Sequence, residues 1–144
     1  MKHNLILKVV SKFLIPLIFL FALYVQFHGD FGPGGGFQAG VIFSAAIILY
    51  ALVFGVDDAK KVIPPHILRI LASLGVLIYA GTGVATLLLG GNYLEYGVLA
   101  STQVAGQHLG ILVIELGVGI TVMAVMLIMF FAFAERGRSD EESQ

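Results

Sequence analysis

Cysteine and tryptophan are both absent from this chain of 144 residues. Without cysteine there is no disulfide, no thiol nucleophile and no thiolate metal site. Charge is scarce as well, because Asp, Glu, Lys and Arg make up 12% of the residues, against about a quarter in a soluble domain. The formal net charge of −1 offers nothing to a nucleic acid. The one run of three glycines lacks the Gly-Lys-Ser/Thr ending of a phosphate-binding loop, which excludes that use of it. What the chain has in excess is apolar. Hydrophobic residues reach 58% and the mean hydropathy is +0.97. So little polar surface cannot cover a globule in water, and the expected surroundings are a lipid bilayer.

Four stretches pass the test of about 18 or more mainly apolar residues. They run from Val9 to Phe27, Phe37 to Val56, Ile70 to Leu89 and Leu109 to Ala134. Apolar residues follow one another without alternating, so a β-barrel is excluded. The predicted fold class is an all-α integral membrane protein, a bundle of four transmembrane helices. It forms a single domain over residues 1–135, followed by a polar tail over 136–144 with no reason to fold. The first stretch is not read as a cleavable leader, because Pro16 and Gln26 fall where a small-residue cleavage site belongs. Asp57, Asp58, Lys60 and Lys61, bounded by Pro64 and Pro65, read as a solvated turn. No enzyme is expected, since no cofactor motif, metal cluster or nucleophile–base pairing is visible.

Lysine and arginine are distributed unevenly. Lys2, Lys8 and Lys12 precede or open the first span, Lys60, Lys61 and Arg69 lie between the second and third, and Arg136 and Arg138 follow the fourth. The other two connections contain none. Cationic residues mark the cytoplasmic side, so both termini are predicted to be cytoplasmic. The implied location is the cytoplasmic (inner) membrane of a prokaryote, crossed several times.

Small residues mark where helices want neighbours. Gly75, Tyr79, Thr82, Gly83 and Thr86 recur every three or four residues and share one helix face. Gly40 and Ser44, Ala51 and Gly55, and the glycines at 106, 110, 117 and 119 extend the pattern. In lipid such faces let helices approach closely. There are more of them than one small bundle needs, which favours a protein surrounded by other membrane subunits.

Glu115 is the outstanding candidate for chemistry. It interrupts "HLGILVIELGVGITVMAVM", about two turns inside the last span. Burying a carboxylate there costs on the order of 3 kcal/mol, so it must be paired, protonated or faced by water inside protein. His108 lies seven residues earlier on nearly the same face, about 10 Å away, a separation suited to a water-linked relay. Glu115 and His108 are thus candidates for a proton or cation route, or else Glu115 only bonds a neighbouring helix. Lys12, i+4 from Lys8 and beside the apolar run, is a third candidate for the route, although snorkelling to the interface accounts for both lysines. Pro16 leaves the Lys12 carbonyl without its helical donor.

The stretch "FHGDFGPGGGFQAGV", from Phe27 to Val41, breaks the apolar pattern most abruptly. Pro33 gives a rigid turn, and Gly34, Gly35 and Gly36 then expose bare backbone before Phe37. Irregular backbone at membrane depth is tolerated only against protein or water. The stretch is therefore either a tight connector or an entrance lining a polar cavity. His28 and Asp30 read as exposed loop residues beside it.

Two motifs together, "PGGGFQAG" and "HLGILVIELGVGITVMAVM", resemble the MnhB/MrpB family, one of the hydrophobic components of the multisubunit Mrp-type cation/proton antiporter. The chain is also similar to a component of membrane-bound hydrogenases. The resemblance covers nearly the whole chain. It implies a hydrophobic subunit of an assembly that exports Na+ against inward H+ flow. Other membrane subunits would be its partners, with no cofactor and no nucleic acid. It further implies a structural role for Pro33, Gly34, Gly35, Gly36 and Phe37, and an ion-path role for Glu115. Any ion-binding role for Asp30 stays outside that carry-over. Two other readings remain open: a purely scaffolding subunit of such a complex, and a small autonomous proton-coupled exporter. Against the last, the acid lies in the final span and aromatic contacts for a flat cation are sparse.

Overall fold

A computed structural model describes residues 2–29, 31–32 and 34–142, with side chains described from Leu5 to Arg138. Asp30 and Pro33 therefore lie outside the described residues. The helices are α1 (Lys2–Phe27), α2 (Gly36–Phe54), α3 (Val56–Val62), α4 (Pro65–Leu88) and α5 (Gln103–Glu142), with a short 3-10 turn (Tyr96–Leu99) between α4 and α5. Among the described residues, all of these helices except α3 are long and apolar enough to cross a membrane. The chain is an all-α membrane bundle of four spans.

The helix ends differ from the sequence expectation, for local reasons. α4 starts at Pro65 instead of Ile70, because a proline in the first turn sacrifices only a donor that has no partner there. The expected turn at Asp57–Lys61 is the helix α3. Its acids sit in the first turn and its lysines in the last, matching the helix dipole at both ends. Lys61 Nζ donates to Asp58 at 2.7 Å, and this bond raises the ammonium pKa above its ordinary value. α5 also runs past residue 135 to Glu142, in place of the unfolded tail that its polarity predicts. Arg138 grips both Asp57 oxygens at 3.0 and 2.9 Å, and Lys60 pairs with Glu135. These long-range pairs tie the last turns of α5 to α3.

α2 and α5 form the centre of the bundle, with α1 packed on α2 and α4 on α5. The close approaches are made by glycine. A Cβ added at Gly40 would lie 2.6 Å from the Gly119 carbonyl oxygen, and one at Gly117 would lie 2.9 Å from that of Gly75. Only bare backbone permits these crossings. The compact core lies toward the α3 end, where Ile47, Ala51, Ala59, Leu68, Ala124, Leu127 and Phe131 are buried together. The lysines and arginines of the described residues gather at this end.

The opposite end is stepped. α2 begins level with Glu115, because the Gly36 backbone lies against that residue. α5 extends twelve residues further, from Glu115 back to Gln103, or about 18 Å at 1.5 Å per residue. α4 rises beside it and is capped by its own connection. Leu94 N–H donates to Thr86 Oγ1 at 2.9 Å, and the Tyr93 ring fills the space left by Gly83. The α1–α2 loop thus sits well below the tops of α4 and α5.

Candidate functional site

The step brings together the two features that stand out in the sequence. The glycine loop descends to the level of Glu115, and the side chain of Glu115 occupies the room the glycines leave. A Cβ at Gly29 would lie 2.7 Å from Glu115 Oε2 and 2.9 Å from its Cδ. One at Gly35 would lie 3.2 Å from Oε1, and one at Gly36 would lie 2.7 Å from the Glu115 carbonyl carbon. Side chain and backbone of one residue therefore rest on three glycines. Gly35 is needed twice over, since its φ of 137° is also one that other residues avoid.

Gln38 reaches the same patch, with its Oε1 3.4 Å from the position of a Gly35 Cβ. One turn along α5, Gly119 makes room for a second carboxamide. A Cβ there would lie 2.7 Å from Gln26 Oε1 and 3.2 Å from the Gly36 carbonyl oxygen. The result is a short line of oxygens from α1, α2 and α5: the Glu115 carboxyl, two carboxamides and a backbone carbonyl. Hard monovalent and divalent cations are bound by oxygens of these types, and a carboxyl can equally carry a proton.

The other sequence candidates spread along the molecule. His108 is exposed on α5, between Glu115 and the top of the step. Beside it the 3-10 turn packs its Tyr96 ring on Gly110, and burial raises the Tyr96 phenol pKa above its usual value, with Tyr79 and Tyr93 adding to the effect. Lys12 lies at the far end of the bundle, its Nζ 5.9 Å from the centre of the Phe54 ring. α2 separates it from the glycine loop by its whole length, about 27 Å. His28 is not an open loop residue, because its ring stacks on Tyr24 at 4.9 Å. Phe37 is exposed at the foot of the loop. On the α4 face, Gly75 packs on α5, Thr82 is buried with its hydroxyl donating to Ile78 O, and Tyr79 is partly exposed. Gly83 and Thr86 serve the connection that follows α4.

Sequence reasoning passes over Gln26, Gln38 and Gly29. The available signal is weak but real, since both glutamines are carboxamides bordering apolar runs.

A stepped four-span bundle with an acid seated in a glycine loop defines a class of small multi-pass helical membrane protein. Comparison with known proteins gives the family. The model of the domain related to the MnhB subunit of Na+/H+ antiporter matches residues 6–128. The chain is 35% identical over 134 residues to "Putative antiporter subunit mnhB2" of Staphylococcus aureus strain Newman, covering 85% of this chain and 94% of the relative. The proteins of that name from strains JH1 and USA300 match to the same extent. This chain belongs to the MnhB family, and is an antiporter subunit of that type.

Proposed function

We propose that the chain lines part of the cation or proton path of a monovalent cation/proton antiporter complex that exports sodium against inward proton flow. The observation that carries this reading is the seating of the Glu115 carboxyl on Gly29 and Gly35, at the mouth of a loop too low to be an ordinary surface connector. In this reading Glu115 is the loading position and His108, about 10 Å nearer the top of the step, is its approach. Lys12 lies too far away to share that position, so it acts as a separate station at the opposite end. The clustering of cationic side chains at the α3 end supports cytoplasmic termini in a prokaryotic cytoplasmic membrane.

Replacing Glu115 with Gln in the assembled complex tests this. Gln keeps the shape and hydrogen-bonding capacity but cannot load a proton or neutralise a cation. Sodium/proton exchange in everted vesicles should fall at least tenfold while native gels show an intact complex. Undiminished exchange would remove the path role. A scaffolding reading has its own support, since Gly36 against the Glu115 backbone is a tight helix contact. It expects Glu115→Gln to transport normally and Glu115→Leu to dissociate the complex.

A further inference from the structure

Between α1 and α5 a lateral cleft of about 290 Å³ opens, with α2 as its floor. Its walls are apolar: Leu23 and Phe27 from α1, Phe43 from α2, and Leu116, Ile120 and Met123 from α5. One polar side chain lines it. Gln26 is only 4% exposed, yet its Nε2 has no hydrogen-bond partner among the described residues. Its Oε1 lies against Gly119 of α5, and Nε2 is the buried end of the carboxamide that lacks a partner among the described residues.

At about 290 Å³ and open on one side, the cleft can take an acyl chain, water or a partner helix. An acyl chain would match the walls but accepts no hydrogen bond. Water would satisfy Nε2 but is poorly held by walls of Leu, Ile, Phe and Met. A membrane helix carrying an acceptor satisfies both requirements: apolar residues against the walls and one oxygen at Nε2. Hydrogen bonds from carboxamides across helices are a recurrent way of fixing such contacts in lipid. We infer that the α1–α5 cleft seats a transmembrane helix of a different subunit of the antiporter complex, which presents a carboxylate, carboxamide or hydroxyl oxygen to Gln26. This does not depend on the path role of Glu115. It needs only membership of a complex.

The natural absence of cysteine makes the test direct. Single cysteines placed at Phe27 and Ile120 in the full complex, in native membranes, are labelled with a benzophenone maleimide and irradiated. The expected product at both positions is an adduct with one and the same other subunit, identified by mass spectrometry. Adducts with lipid only, or with a second copy of this chain only, would overturn the inference. In the same membranes Gln26→Met, which keeps the bulk and removes the donor, should reduce that adduct at least fivefold, and Gln26→Asn should reduce it less. An unchanged yield in Gln26→Met would overturn the role of the donor. Glu115→Gln should leave the adduct intact, which separates this inference from the transport reading.

Discussion

The two ends of the bundle are built on opposite plans. At the α3 end, interlocked side chains fill the space, with Leu68 and Leu127 fully buried and ion pairs closing the rim. At the glycine-loop end, side chains are withheld, and the room left by Gly29, Gly35, Gly36 and Gly119 is taken by polar groups. The first plan gives stability. The second sets a half-buried acid, Glu115, and a buried carboxamide, Gln26, beside an exposed one, Gln38. The contrast shows that glycine in this chain is a way of placing oxygen atoms, as well as a way of bringing helices together.

The sharpest break in that contrast comes from putting one methyl group where none fits. A Cβ at Gly36 would press on the Glu115 carbonyl carbon and Cα, backbone atoms that cannot swing aside. Gly36→Ala should therefore separate α2 from α5 at the loop, costing about 3 kcal/mol, the upper part of the range for overpacking. Exchange should be lost with it. Gly81→Ala is the control, because Gly81 lies inside α4 with nothing within 4 Å of an added Cβ. It should stabilise by up to about 1 kcal/mol through helix propensity. Thermal unfolding of the two variants in detergent should shift in opposite directions. Equal shifts would mean the loop contact is not tight.

At the other end, Leu127→Ala removes a fully buried side chain from the core around Ala51, Ala59 and Leu68. In water such a truncation costs roughly 2–5 kcal/mol. In a bilayer the transfer part of that cost shrinks, because lipid tails are as apolar as the core. The expected loss is about 2 kcal/mol, the low end of that range. Exchange per assembled complex should be unchanged, because no candidate of the glycine end is touched. A transport defect in a normally assembled Leu127→Ala complex would show that the ends are not separate in function.

How much of this is legible in the sequence depends on the range of the interaction. Four spans, their composition and the one-sided cations follow from local hydropathy, so the fold class can be read directly. Glu115 and the glycine run can each be singled out, because each breaks a pattern in its own neighbourhood. Their meeting cannot, since nothing local connects Gly36 at the start of α2 with residue 115 in the last helix. Gln26 is given no place in a site because a glutamine at a helix end ordinarily reaches water, and only the cleft beside it shows that its donor does not. The helical tail is hidden for the same reason. Arg138 becomes ordered through Asp57, 81 positions away in the chain.

That pair provides the smallest expected effect. Arg138 and Asp57 form a well-aligned two-oxygen contact, but both side chains are more than half exposed. Exposed pairs are worth about 0–1 kcal/mol, since solvent screens them and two side chains must be held still. A double-mutant cycle of Arg138→Ala and Asp57→Ala should give a coupling of about 0.5 kcal/mol. It should fade as salt is raised from about 0.15 to about 1 M, because the screening length falls from about 8 Å to about 3 Å. The global unfolding midpoint should barely move. Hydrogen exchange is the better readout: amides of the last turns of α5 should exchange faster in either variant, while those beside Leu127 stay protected. If the whole of α5 loosened instead, the ion pairs at this end would be holding the core together, and side-chain packing would no longer be what distinguishes it from the glycine end.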